Sequence, residues 1–242
     1  MSLYAWAHAV GAGEAVSLAA RFPGLGLVLN GVNYNAAPEL TVPPIAYVGS
    51  VAHAERVAVL AREGVRWHAA IVNDERNQSG PSGAYMSPER YAASFNEVAP
   101  ILQRAGVRVS TMGLSAVGGW WRTLWWDRRF DDAYHAVLPP ADVRAFNPNR
   151  VRRREVERVL RMPGPWVLSP APFRGWFDRW RESVSVREWA AIAGHESVLA
   201  VALWCLKETQ WGDGSWQAEH GLLDRHDRVT RVGRDVLAVL GA

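Results

Sequence analysis

The 242-residue sequence predicts an α/β fold, a (β/α)8 TIM barrel that forms a single compact domain over residues 1–242. Short apolar runs alternate with helical patterns along the whole chain, and there are eight such runs. Most of them are apolar on both faces, as expected for parallel strands covered by helices. No repeat or long linker divides the chain, and its length fits one barrel. An open, doubly wound sheet is the alternative arrangement of the same elements.

The eight apolar runs are the candidate strands. In chain order they are Leu3–Val10, Leu25–Asn33, Ile45–Ser50, Val65–Asn73, Val107–Ser115, Asp142–Asn147, Pro165–Pro170 and Val198–Glu208. The clearest helix signal follows the fourth run, where Ser87 can cap a helix, Pro88 suits its first turn and Gly106 follows its last turn. A second helix is expected to end at Gly64, and the last helical pattern covers Asp224–Leu240.

Charge and composition exclude several classes of protein. The net charge of +3 is too small to favour nucleic acid as a partner. The basic run Arg150–Arg154 is followed by Glu155 and Glu157, a pattern typical of a solvated helix face. Cys205 is the only cysteine, so neither an intrachain disulfide nor a cysteine-based zinc site can form. The histidines lie on separate predicted elements, and we expect no metal or redox cofactor.

Two further patterns concern the membrane and the export route. No apolar run approaches the ~20 residues needed to cross a bilayer, so no membrane span is expected. The segment MSLYAWAHAV at the start lacks the basic region and long apolar stretch of a signal peptide. These patterns predict synthesis in a cytoplasm, followed by release through lysis or association with a virion. The oligomeric state is left open.

Amides, aromatic rings and carboxylates follow the predicted strands. In a (β/α)8 barrel the active site lies at the carboxyl ends of the strands, whatever the reaction. The candidates there are Trp6 and His8 after the first strand, Asn33 and Tyr34 after the second, Asn73, Asp74 and Glu75 after the fourth, Trp120 after the fifth, Asn147 after the sixth, and Trp204, Glu208 and Trp211 after the eighth. Amides and flat aromatic faces suit a hydroxyl-rich ligand, and the chain has 13 Trp residues. A glycan is therefore the expected partner.

Two segments carry a resemblance to a known family. The segment NDERNQ at the end of strand four, with the helix SPERYAASFNEVAPILQRAG after it, resembles the fourth β/α unit of clan A glycoside hydrolases, in which an Asn-Glu pair ends that strand. The segments WCLKETQW and GLLDRHDRVTRVGRDVLAVL are similar to the clan's eighth strand and last helix. The resemblance implies a clan A barrel in which Glu75 is the general acid and Asn73 binds a sugar hydroxyl.

Asp74 departs from the clan's pattern because it separates Asn73 from Glu75. Strict alternation along a strand would put Asn73 and Glu75 on one face, which favours Glu75 as the acid. A bulge at the strand tip would favour Asp74 instead. A solvated turn is the non-catalytic interpretation of the two adjacent carboxylates.

The clan's second carboxylate, a Glu at the end of strand seven, is missing from this chain. That tip reads LSPAPFRG, and no carboxylate occurs between Glu157 and Asp178. Glu208 at the eighth tip is the next candidate, and it would suit an inverting mechanism. A structural ion pair of Glu208 with Lys207 or Arg76 is the alternative interpretation.

These patterns predict a glycosidase, a hydrolase of O-glycosyl bonds that acts on a polysaccharide or oligosaccharide. A cell-wall glycan degraded by a phage or bacterial lysin is one such substrate. The expected sugar platforms are Trp6, Tyr34, Trp120, Trp204 and Trp211. The alternative is a carbohydrate-binding TIM barrel without catalytic activity, which the missing strand-seven Glu favours.

Overall fold

All eight predicted strands are present. The computed structural model describes residues 2–8, 10–73, 86–111, 141–146, 156–157, 160–162, 164–171, 185–208 and 221–241. The strands are β1 (Leu3–Trp6), β2 (Gly26–Leu29), β3 (Ile45–Val48), β4 (Ala69–Val72), β5 (Val109–Ser110), β6 (Arg144–Phe146), β7 (Trp166–Ala171) and β8 (Val198–Leu203). Most are shorter than the apolar runs that predicted them, because the residues at the ends of each run turn out of the sheet.

The strands form one parallel sheet that closes on itself. Their order is β5-β4-β3-β2-β1-β8-β7-β6, and every pair within it is parallel. The two ends of this order meet where the backbone N of Val143 donates to Val109 O (3.2 Å) and the backbone N of Thr111 donates to Val143 O (3.3 Å). The predicted (β/α)8 barrel is therefore confirmed, and the open doubly wound sheet is wrong. That residues 1–242 form one domain stays a prediction.

Alternate residues of each strand point to opposite sides of the barrel wall, as the period of two requires. The interior cluster contains Tyr4, Trp6, Val28, Ile45, Ile71, Val143, Val167, Ala200, Ala202 and Cys205. Their neighbours along the strands, such as Leu3 and Ala5, belong to a second cluster that lies between the barrel and its helices. This alternation decides which side chains at the strand tips face the barrel axis.

Helices cover the outside of the barrel. In the described ranges they are α1 (Ala12–Ala19), α2 (Val51–Arg62), α3 (Pro88–Arg104), α4 (Val186–Ala193) and α5 (Arg231–Leu240), with a 3-10 helix at Tyr34–Glu39. The predicted start of α3 is confirmed, because Ser87 Oγ accepts a hydrogen bond from the backbone N of Arg90 (3.3 Å). Of the helices in the described ranges, none is long and apolar enough to cross a bilayer.

The last helix begins later than its sequence pattern predicts. Asp224, the expected first residue, instead builds a tight turn, in which Asp224 Oδ1 accepts hydrogen bonds from the backbone N of His226 (2.8 Å) and of Arg228 (3.0 Å). Thr230 then caps α5, since its Oγ1 accepts from the backbone N of Gly233 (3.0 Å). A carboxylate that binds the backbone locally competes with the helix, which explains the difference.

Candidate functional site

Four rings form a row across the carboxyl end of the barrel. The ring centroid of Trp6 lies 5.5 Å from that of Tyr47 and 5.8 Å from that of Trp204, and the His8 centroid lies 5.3 Å from that of Trp204. Trp6 is buried, Tyr47 and Trp204 are half-buried, and His8 is exposed. This aromatic row (Tyr47, Trp6, Trp204, His8) therefore runs from the barrel interior to solvent, and it joins the tips of β1, β3 and β8.

The sequence predicted three members of the aromatic row and missed Tyr47. The sequence contained the pattern that identifies Tyr47, because this residue is two positions after the interior Ile45 and so lies on the same face of β3. Trp204 follows the last residue of β8, and the peptide bond between Trp204 and Cys205 is cis. Aromatic faces of this kind contact the C–H surface of sugar rings.

A hydroxyl lies near the carboxyl end of β7, the strand on which the clan A resemblance expects a carboxylate. Ser169 lies two residues after the interior Val167 and is 1% exposed. Its Oγ accepts a hydrogen bond of 2.9 Å from Trp6 Nε1. This interior position, two residues before the last residue of β7, is thus occupied by a small group that anchors the aromatic row.

His8 forms the solvent end of the aromatic row. Partial desolvation beside its neighbours lowers the pKa of the His8 imidazole below the ordinary value of 6.5. The ring is therefore neutral at pH 7, with one N–H donor and one nitrogen acceptor. A neutral imidazole in contact with an indole can exchange hydrogen bonds with a sugar hydroxyl.

Asn33 and Tyr34, which the sequence predicted as glycan contacts, form hydrogen bonds within the protein. Asn33 is fully buried, its Nδ2 donates to the carbonyl oxygens of Ala7 (2.6 Å) and Val10 (3.2 Å), and its Oδ1 accepts from the backbone N of Asn30 (2.7 Å). Tyr34 is 2% exposed and donates its hydroxyl to Tyr47 O. Neither presents a free amide or a ring face to the cleft, because both side chains hold neighbouring strand tips together.

Asn73 ends β4 in a left-handed conformation. Its φ is +54°, and its side chain is fully buried, with Nδ2 donating to Ser94 Oγ on α3 (3.3 Å). Asn73 Oδ1 has no hydrogen-bond partner among the described residues. A positive φ breaks the alternation of side chains along a strand. The alternation that favoured Glu75 over Asp74 therefore stops at Val72.

Glu208 lies on the segment that extends β8 beyond its last residue. Its side chain is half-buried, and its backbone N donates to Leu223 O (2.9 Å). Lys207, the alternative structural partner of Glu208, forms its ion pairs with Glu14 (2.8 Å) and Asp227 (2.7 Å) instead. Glu208 therefore stays a candidate second carboxylate at the same end of the barrel as Trp204.

Several candidates lie outside the described residues. They are Asp74, Glu75, Trp120, Asn147 and Trp211.

Within the described ranges, no group of three or more His, Cys, Asp or Glu side chains could hold a metal ion. A cavity of about 420 Å³ lies at the opposite end of the barrel, beside Pro43, Trp67, His68 and Arg108, and none of the candidate residues lines it.

Comparison with known proteins identifies solved structures with a similar fold. No protein-family model and no curated protein matches the chain. Among solved structures, a GH128 (subgroup II) endo-β-1,3-glucanase from Pseudomonas viridiflava matches with a TM-score of 0.66 and 16% identity, over 98% of this chain and 96% of that one. A GH128 (subgroup VII) oligosaccharide-binding protein from Cryptococcus neoformans matches with a TM-score of 0.63 and 11% identity, over 100% and 94%.

A third neighbour was solved with a ligand. It is a GH128 (subgroup I) endo-β-1,3-glucanase from Amycolatopsis mediterranei in complex with laminaritriose, with a TM-score of 0.59 and 13% identity, over 98% of this chain and 99% of that one. Likeness at such low identity establishes the fold. The chain therefore shares the (β/α)8 barrel of these GH128 proteins over almost its whole length, and that fold is found both in glucanases and in an oligosaccharide-binding protein.

Proposed function

We propose that this chain binds and hydrolyses a glycan at the carboxyl end of its barrel, with β-1,3-linked glucan as the first substrate class to test. The observation that carries the proposal is the aromatic row, which leads from buried Trp6 through half-buried Trp204 to exposed His8. Its place at the carboxyl end of the strands is where barrel enzymes bind their substrates. The neighbours that act on β-1,3-glucan support the choice of sugar.

In this proposal Glu75 protonates the leaving glycosidic oxygen, with Asp74 as the alternate acid. Glu208 is the second carboxylate and activates a water molecule on the opposite face of the sugar. Such an inverting pair requires carboxyl groups roughly 6.5–9.5 Å apart. The stacking face comes from Trp204, and Trp120, Asn147 and Trp211 are the further expected contacts. Degradation of a cell-wall glycan by a lysin released through lysis or carried on a virion is the biological role we propose.

The first test measures binding and cleavage on the same protein. Laminari-oligosaccharides and a panel of other cell-wall glycans are titrated while intrinsic Trp fluorescence is followed, and the release of reducing ends is then assayed. We expect saturable binding of at least one glycan, and its loss in Trp204→Ala. Absence of binding across the panel would contradict the proposal.

One observation favours a second function, which is glycan binding without hydrolysis. Near the carboxyl end of β7, the interior residue Ser169 is hydrogen bonded to Trp6, and no carboxylate lies nearby in the sequence of that strand. An oligosaccharide-binding neighbour with the same barrel supports this reading. Saturable binding with no release of reducing ends from the bound glycan would establish the second function in place of the first.

A further inference from the structure

Lys207 joins three segments of the carboxyl end. Its Nζ lies 2.8 Å from Glu14 Oε1 on α1 and 2.7 Å from Asp227 Oδ1 in the turn before α5. The residue itself is on the extension of β8, and its side chain is only 19% exposed. These two ion pairs raise the pKa of the Lys207 ammonium, so the cation is kept over the whole range in which the protein would work.

The two partners of Lys207 lie on segments close to the candidate cleft. Glu14 is in the first turn of α1, which follows directly on the loop that carries His8. Asp227 has a φ of +61°, and its carbonyl oxygen accepts a hydrogen bond from Arg21 near the end of α1. Lys207 thus connects the segment that carries Trp204 and Glu208, of which it is part, to the helix that follows the His8 loop.

We propose that Lys207 is a positioning residue for the candidate cleft. It holds α1 and the turn before α5 against the extension of β8 (residues 204–208), and in this way it sets the contact between His8 and Trp204. The proposal rests on the proposed function where it concerns glycan affinity, but the ring contact can be measured without any glycan. The backbone bonds of the extension, such as Leu206 N to Trp6 O (2.8 Å), fix its path along β1. Among the described residues none of these backbone bonds reaches α1, whereas the ion pair of Lys207 with Glu14 does.

A nearby ion pair offers a matched control. Arg228 pairs with Asp224 at 2.7 Å in the same turn, but the Arg228 side chain is 75% exposed and this pair joins residues four apart in the chain. Exposed pairs of this kind contribute little to stability. Removing either cation costs one ion-paired charge, whereas only the loss of Lys207 removes an ion pair between α1 and the β8 extension.

The experiment compares Lys207→Met, Lys207→Arg and Arg228→Met by NMR of the folded proteins. The His8 signal, assigned with His8→Gln, reports the neighbouring indole through its ring-current shift and reports desolvation through its pKa. In Lys207→Met we expect the His8 pKa to rise toward its ordinary value and the ring-current shift to shrink. Lys207→Arg and Arg228→Met should resemble the wild type. Glycan affinity should fall by about 10-fold in Lys207→Met alone, which corresponds to about 1.4 kcal/mol of binding free energy.

Two results would overturn the proposal. One is a folded Lys207→Met whose His8 shift and pKa equal those of the wild type; the other is an Arg228→Met with the same change as Lys207→Met. If Lys207→Met does not fold, Glu14→Gln and Asp227→Asn take its place, because Asn tolerates the positive φ of position 227. A wild type that binds no glycan would contradict the proposed function, while the His8 measurement would still decide the role of Lys207.

Discussion

The hydrogen bond from Trp6 Nε1 to Ser169 Oγ, 2.9 Å long, connects β1 with β7 across the intervening strand β8. Both side chains are almost fully buried. The bond orients the indole of Trp6, and Trp6 in turn contacts both half-buried rings of the aromatic row. The Ser169 hydroxyl therefore helps to set the orientation of Trp6, the buried member of the aromatic row.

Ser169→Ala leaves the indole N–H of Trp6 without a partner in a buried site, and we expect the free energy of unfolding to fall by about 1–3 kcal/mol. Urea denaturation measures this loss. The control is the double-mutant cycle with Trp6→Phe, in which the donor is absent. Ser169→Ala should then cost much less, and equal costs in the two backgrounds would show that the bond contributes nothing.

Gly221→Ala should destabilise the protein and disturb Glu208. An added Cβ would lie 2.4 Å from Leu223 O and 2.5 Å from Glu208 N, and these backbone atoms are themselves hydrogen bonded to each other. Strain of this kind costs typically about 1–3 kcal/mol. Gly13→Ala is the control, since a Cβ there meets nothing within 4 Å and should stabilise α1 by up to about 1 kcal/mol. Thermal unfolding of both variants checks the opposite signs.

The stability of the protein should fall as the pH drops below about 6.5. His68 is half-buried, its Nε2 lies 3.1 Å from Leu199 O, and desolvation, followed by the charge of Arg108, holds its pKa below the ordinary value of 6.5. The unfolded chain therefore binds a proton at a higher pH than the folded protein does, so acidification through this range favours unfolding. Urea denaturation at about pH 7.5 and about pH 5.5 measures the slope. His68→Gln should flatten it, and an unchanged slope would contradict the assignment.

Glu75→Gln should reduce hydrolysis by roughly 10²–10⁴-fold, the usual contribution of general acid catalysis, while glycan binding is kept. Release of reducing ends under saturating glycan measures the rate, and Trp fluorescence measures the binding. Asp74→Asn is the matched variant. Removal of the neighbouring negative charge should lower the pKa of Glu75 and move the pH optimum of hydrolysis down. If Asp74→Asn instead abolishes hydrolysis and Glu75→Gln does not, Asp74 is the acid.

The barrel was predictable because its strands are buried on both faces and therefore appear in the sequence as separate apolar runs. The tips of the strands were less predictable. Asn33 follows β2 as a substrate-binding amide would, yet its side chain folds back onto Ala7 and Val10. A side chain that returns to the backbone in this way depends on the path of another loop, which no pattern within one strand encodes.

Contacts between distant segments could not be predicted either. The sequence offers Glu208, the adjacent residue, as a partner for Lys207, whereas Glu14, its partner in the structure, precedes it by 193 residues. The orientation of Trp6 likewise depends on Ser169, which follows it by 163 residues. Such pairs form only when the barrel closes. In contrast, Ser87 was a correct cap because its hydrogen bond reaches only to Arg90.

The closure between β5 and β6 has a consequence for local unfolding. β5 contains only two residues, and among the described residues the backbone bonds between it and the segment before β6 are those of Val143 with Val109 and with Thr111. Because few backbone hydrogen bonds join these two strands, we expect them to separate at a lower free energy of local unfolding than the other strand pairs of the barrel. The amide protons of Thr111 and Val143 should therefore exchange with deuterium earlier than that of Ile71 in β4, and the barrel should open first along this line.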